Sequence, residues 1–197
     1  DLTATRARTQ AIVTPELMSR LNAGVLWWNY QGHANESLLA HETILLNPGN
    51  SGTGVFTNDG RPFFLSAFSC HVNAFARPGD LRAAGASLGE VLVNAALRGA
   101  VASWASSAYE ILPDGGGQHV DTALARSMFV NPPHNRFLGN AGSRVLLGES
   151  IALAVLDYVS PFLGLERGVG LTYQLLGDPA LQMSIGPVQA VVQANEL

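Results

Sequence analysis

Two short apolar runs, each closed by a residue type suited to proton transfer or covalent chemistry, constrain this chain more than any other feature. Val25-Leu26-Trp27-Trp28-Asn29-Tyr30 lies between Gly24 and Gly32 and leads into His33. Pro62-Phe63-Phe64-Leu65-Ser66-Ala67-Phe68 leads into Ser69 and Cys70. Neither run has helical periodicity. Uninterrupted apolar runs of this length read as strands buried on both faces, the kind that parallel sheets contain. A proline at the first strand position is tolerated, which accommodates Pro62. Two parallel strands require a crossover of a dozen or more residues. The segment from Glu36 to Gly60, expected to be part helix and part Asn/Gly-rich loop, has that length.

The remaining pattern extends the same architecture. Thr14-Pro15-Glu16 reads as a helix start, with Thr as cap and Pro in the first turn, and Gly24 ends the helix. Ser87 to Arg98 is the clearest helix: Leu88, Val91, Leu92, Ala95 and Ala96 form one stripe, Ser87 and Glu90 pair as a capping box, and Gly99 follows. Ala100 to Trp104 reads as a third strand. Val120 to Val130 and Ser143 to Val159 read as helices, ended by Pro132-Pro133 and Pro161. Gly115-Gly116-Gly117 marks a loop. Strand and helix alternate as in an α/β fold with right-handed crossovers, so a sheet between two helical layers is expected. The length of 197 residues fits one domain.

Composition narrows the function. Hydrophobic residues make up 47% and charged residues 13%, the reverse of a disordered chain. With 11 Lys+Arg and a formal charge of -4, there is no basic field to hold a phosphate backbone, which argues against nucleic acid as a partner. The single cysteine excludes an intramolecular disulfide and a Cys-based zinc cluster. No apolar run is long enough to cross a membrane as a helix, and the first residues lack the apolar core of a secretory signal. His33, His41, His71, His119 and His134 include no pair at the i, i+4 spacing of a helical metal site, so no metal is expected. Gly49-Asn50-Ser51-Gly52-Thr53-Gly54 resembles a serine-nucleophile loop but lies in an α/β crossover, where a Gly/Asn turn is the better reading.

In open α/β sheets, sites form outside the carboxyl ends of the strands. If the two apolar strands are neighbours, as consecutive strands commonly are, His33 and Cys70 emerge side by side at one rim. A thiolate can attack a carbonyl, and an imidazole can supply the proton that a leaving amine needs. Gly32 lets the main chain lie close to a substrate, and the Cys70 N–H is available to an oxyanion. The plain alternative is a buried structural thiol and a turn histidine. His71 is the other imidazole next to Cys70, but adjacent strand residues point to opposite faces.

Several motifs fall in register with a known family. Asn29-Tyr30-Gln31-Gly32-His33, Ser69-Cys70, Pro78-Gly79-Asp80 with Ser87-Leu88-Gly89-Glu90, and Leu176-Gly177-Asp178-Pro179-Ala180-Leu181 together resemble the gingipain family of cysteine peptidases, from about residue 20 to 185. The resemblance implies a three-layer caspase-like sandwich around a mostly parallel sheet. Residues 1–197 would be the C-terminal portion of one catalytic domain. It implies Cys70 and His33 as a catalytic dyad, oxyanion and backbone roles for Gly32, Ala34 and Cys70, and no metal or cofactor. Ser103, Trp104, Ala105 and Ser106 would line the primary substrate pocket, while Glu90 and the Leu176–Leu181 stretch would be structural. One departure is Ala34, where the family usually has Gly. Another is that caspase-like folds open with two further strands, for which this chain has no room before the His33 strand. The resemblance therefore implies an N-terminal fragment of the same precursor, removed or retained as a second chain. The partners it implies are protein or peptide substrates, and the location secreted or at the cell envelope. The competing reading is a caspase-like domain that binds or regulates without cleaving.

Overall fold

The run Phe63–Phe68 is the spine of the molecule, and its alternation explains the layers. The computed structural model describes residues 2–47, 56–76, 85–110, 120–130, 144–159 and 171–184. The Gly49–Gly54 loop, Pro78-Gly79-Asp80, Gly115–Gly117, Pro132-Pro133, Pro161, His119 and His134 lie outside the described residues. The strands are β1 (Trp27–Gln31), β2 (Leu38–Leu39), β3 (Leu45–Leu46), β4 (Phe63–Phe68), β5 (Ala100–Ser106), β6 (Arg144–Leu146), β7 (Tyr173–Leu176) and β8 (Gln182–Ser184). The helices are α1 (Leu2–Arg8), α2 (Thr14–Ala23), α3 (Leu88–Asn94), α4 (Val120–Ala125) and α5 (Leu147–Val159). The central sheet has the order β1-β4-β5-β7; β4 is parallel to both neighbours, and β7 runs antiparallel to β5.

Successive strand residues face opposite sides of a sheet. Phe63, Leu65 and Ala67 pack with Leu21 of α2 and Leu88 and Leu92 of α3. Phe64 and Phe68 pack with Trp104, with Ala123 and Leu124 of α4, and with Ala154 and Tyr158 of α5. The sheet thus lies between two helical layers, as expected. All six β4 residues are buried. β1 departs from expectation: Asn29 and Gln31 are exposed, and β1 is the sheet edge among the described strands. Trp27 packs on one helical layer and Trp28 and Tyr30 on the other, while the polar Asn29 and Gln31 lie open at this edge.

Four local expectations are corrected, one being that the stretch from Ser143 to Val159 is not all helix, since Arg144–Leu146 form β6 before α5 begins at Leu147. The first helix does not begin at Thr14; α1, a π-helical stretch Thr9–Val13 and α2 run on without a break. Thr14 donates its hydroxyl to the Ile44 carbonyl (2.8 Å) instead of capping. Pro15, which inside a regular α-helix would remove a hydrogen bond and crowd the preceding turn, follows the widened stretch directly. The crossover after β1 carries a β2–β3 hairpin where a helix was expected; Ala40 and Thr43 both have φ of 61°, a left-handed conformation that interrupts a helix. The helix that opens at Ser87 stops at Asn94, well short of Gly99, because Ala95 is extended (ψ 111°) and Leu97 is left-handed (φ 64°). Its start is as expected: the Glu90 carboxylate accepts from the Ser87 N–H and hydroxyl, each at 2.8 Å.

Candidate active site

The pairing of β1 with β4 brings the two candidate residues to one place. Gln31 pairs with Phe68, and the Gly32 N–H continues the ladder by donating to the Phe68 carbonyl at 3.4 Å. His33 and Cys70 each follow that last paired rung by two residues, at the carboxyl rim of neighbouring parallel strands. His33 is exposed and Cys70 partly buried.

Different elements hold the two residues. Gly32 has φ of 152°, and a Cβ there would stand 2.9 Å from the Tyr30 hydroxyl, so a bare backbone is what lets Tyr30 fold over it. Tyr30 donates its hydroxyl to the His33 carbonyl (2.7 Å), which also accepts from the Ala40 N–H (2.7 Å). Burial pushes the Tyr30 hydroxyl above its ordinary range, opposed by the main chain at Ala40 and reinforced by the Glu42 charge. It stays a neutral donor at physiological pH. The His33 ring stacks on His41, with centroids 5.0 Å apart and planes 15° from parallel. Ala34 faces Leu39 across an antiparallel bridge whose hydrogen bonds are Ala40 N–H to His33 O and Asn35 N–H to Leu38 O. Ala34 is therefore at a non-hydrogen-bonded position, where the N–H points out of the hairpin.

Cys70 opens a tight turn. The Glu110 N–H donates to its Sγ at 3.3 Å, and the thiol lies 3.8 Å from the Glu110 carbonyl. The next residue, His71, is left-handed (φ 59°), donates its N–H to Ala108 O, and meets the Tyr109 ring edge-on at 4.4 Å. Asn73 locks the turn to the sheet. Its amide donates to Ser103 O (3.0 Å) and Gln174 O (2.9 Å), its carbonyl accepts from the Ser103 hydroxyl (2.8 Å), and its N–H donates to Ser106 O.

The start of α3 ties the two halves together. The first helical N–H groups have no partners within their helix. Here the Leu88 N–H donates to Glu36 O in the segment after His33, and the Gly89 N–H donates to Val72 O in the turn after Cys70. One helix end therefore anchors both segments.

Ser103, Trp104, Ala105 and Ser106 are all buried in β5. Trp104 stands edge-on to Phe68 and contacts Tyr173 in the core. The Ser103 and Ser106 hydroxyls bond to Asn73 and to Ala108 O. Their side chains are thus committed to the interior, and the open residues next to Cys70 are those that follow, Ser107 to Glu110, with Tyr109 78% exposed. Sequence reasoning gave Tyr30, His41, Asn73 and Glu110 no individual role at the site. Of these only Asn73 left a signal, as a polar residue set between Val72 and Ala74 directly after the candidate nucleophile. Among the described residues, no group of three or more His, Cys, Asp or Glu can hold a metal ion, and no helix is long and apolar enough to cross a membrane.

The family model for peptidase family C25 matches residues 2–184. No curated protein sequence matches the chain. Among solved structures, the chain is similar to the Arg-specific cysteine proteinase gingipain R (RgpB), at 20% identity and a TM-score of 0.61, over 87% of this chain and 37% of that one. It is similar to the complex of Porphyromonas gingivalis RgpB pro- and mature domains, at 16% identity and a TM-score of 0.59, with the same coverage of both chains. A structure described as a protease aligns at 20% identity and a TM-score of 0.54, over 84% of this chain and 37% of that one. The caspase-like arrangement is thus a shared fold, and this chain spans little more than a third of the length of those structures.

Proposed function

Since the chain belongs to peptidase family C25, we propose that residues 1–197 form the dyad-bearing part of a cysteine endopeptidase domain, with Cys70 as nucleophile and His33 as acid–base partner. The observation that carries this reading is the β1–β4 register, which sets both residues two positions beyond a shared rung. In the reaction, His33 takes the thiol proton as sulfur bonds to the scissile carbonyl carbon. The carbon–nitrogen bond then breaks as His33 returns that proton to the amine. Water, deprotonated by His33, attacks the thioester, releasing the acid product and restoring the thiol. The outward N–H of Ala34 and the N–H of Cys70 are the donors for the oxyanion. Gly32 shapes the approach, its own N–H being engaged with Phe68 O. Ser107–Glu110 form the open wall of the substrate pocket, and the buried Ser103–Ser106 stretch supports that wall from beneath without presenting side chains to substrate.

We also infer a second polypeptide, the N-terminal portion of the same precursor, parted by proteolytic maturation. β1 offers an edge for it, with a five-residue run whose outer side has no strand partner among the described residues.

Labelling with a peptidyl acyloxymethyl ketone tests the dyad. The expected result is stoichiometric modification of Cys70, slowed by about 10²–10⁴-fold in His33→Ala, the range general acid–base catalysis supplies. Labelling that proceeds equally well without His33 would reduce Cys70 to an accessible thiol and leave a binding or regulatory module as the better reading.

A further inference from the structure

The His33 main chain is held firmly while its ring is not. The backbone carbonyl accepts two hydrogen bonds of 2.7 Å, from Tyr30 and Ala40. The side chain is exposed at the rim, and the ring contact the structure gives it is the stack on His41. An exposed imidazole without such a contact samples several rotamers about χ1 and χ2.

His41 is held in turn. Ala40, at φ of 61°, turns the chain so that residue 41 stands over residue 33, and Thr43 repeats that conformation three residues later. A non-glycine residue persists in this region only where its surroundings fix it. Here the fixing bonds are Thr43 N–H to Ala40 O (3.0 Å), Ile44 N–H to Leu39 O (2.9 Å) and the Arg6 guanidinium to His41 O (2.9 Å). The hairpin core beneath is buried, with Leu39 and Leu45 almost inaccessible.

We propose that His41 is a positioning residue that selects the working rotamer of His33 by stacking on its flat face. The inference rests on the assignment of His33 as the acid–base partner. A near-parallel stack at 15° with centroids 5.0 Å apart sets His41 against the flat side of the ring and leaves the in-plane ring nitrogens at the open edges, where a thiol and a leaving amine must be reached. An edge-on contact would obstruct one of those nitrogens. Stacking of this strength changes a rotamer population by about two- to tenfold, so His41 acts as a guide for the ring and not as a participant in the chemistry.

The test uses the peptidyl acyloxymethyl ketone and compares His41→Ala with His41→Phe, which keeps a flat ring. His41→Ala is expected to lower the maximal labelling rate about three- to tenfold with the half-saturating concentration unchanged, and His41→Phe to restore it to within about twofold. In NMR spectra, the His33 ring proton beside both nitrogens is expected to shift downfield in His41→Ala, as the neighbouring ring current is lost. That readout does not depend on catalysis. An unchanged labelling rate and an unmoved resonance in His41→Ala would overturn the proposal while leaving the dyad intact. A rate that also ignores His33→Ala would remove the dyad reading itself.

Discussion

Gly89→Ala should destabilise this protein although helix propensity argues for the opposite. Gly89 lies in the first turn of α3 and has an ordinary backbone conformation, so on propensity alone alanine would gain about 1 kcal/mol. Space decides otherwise. A Cβ at Gly89 would overlap the Asn73 side-chain carbonyl oxygen and lie 3.0 Å from the Ser103 hydroxyl, both fully buried. Asn73 cannot move aside without loosening its two amide bonds to Ser103 O and Gln174 O and the bond from the Ser103 hydroxyl. Leaving a buried polar group unpaired costs about 1–3 kcal/mol, and overpacking a filled site costs a similar amount. Set against the propensity gain, the net expectation is a loss of about 1–5 kcal/mol, a large part of the roughly 5–15 kcal/mol that holds a domain folded. Urea denaturation followed by tryptophan fluorescence measures it. The same substitution placed on Asn73→Ala should cost far less, because the clashing oxygen is gone, and a double-mutant cycle isolates that coupling. A Gly89→Ala protein as stable as the parent, or more so, would refute the packing argument.

Gly32→Ala should lose about 1–3 kcal/mol, because φ of 152° strains an L-residue and the added methyl meets the Tyr30 hydroxyl at 2.9 Å; thermal melting reads the loss. Ala34→Pro removes one outward N–H while leaving the bridge bonds of its neighbours in place. It should slow Cys70 acylation by a peptide ester about 10²–10³-fold with little change in melting temperature. Burial, reinforced by the charge of Glu110, pushes the Tyr173 hydroxyl far above its ordinary 10.0. Above pH 10 the unfolded chain therefore gives up a proton that the folded chain keeps. Stability should be unaffected by this group below pH 10 and fall by up to about 1.4 kcal/mol per pH unit above it, which urea titrations from pH 8 to 11 would show.

The parts of the fold that were legible in the sequence are those where one local pattern has one structural answer. Phe63–Phe68 is apolar at nearly every position and became the buried central strand; Ser87 with Glu90 formed the cap it spelled out. The placement of His33 and Cys70 at one rim followed from strand adjacency alone. What the sequence hid depends on tertiary partners. Val25–Tyr30 reads like the β4 run, yet among the described strands it lies at the sheet edge, because strand order depends on pairing that no local pattern encodes. Thr14 looks like a cap and is one only when the chain before it is not already helical. Ala40 and Thr43 give no hint of left-handed turns, since neither is Gly or Asn. Trp104 shows the same limit at the site: an aromatic beside a nucleophile can line a pocket or fill a core, and Phe68 and Tyr173 settle it as core.

The segments that carry His33 and Cys70, the proposed dyad, are supported unequally, and this follows from strand order. Cys70 leaves a central strand paired on both sides, and its turn is closed by Asn73, by the Glu110 N–H and by Gly89 of α3. His33 leaves the edge strand, with an exposed ring and a hairpin whose strands are two residues each. Segments with few buried contacts open at lower free energy than the core they border. One link that resists such opening on the His33 side is Leu88 N–H to Glu36 O, and it comes from the same helix end that holds the Cys70 turn. Any strand that paired with the outer side of β1 would add ladder bonds to the weaker half and leave the stronger one untouched. The relative placement of His33 and Cys70 is thus most sensitive to the occupancy of that edge, with the Cys70 turn as the fixed point against which the His33 segment is set.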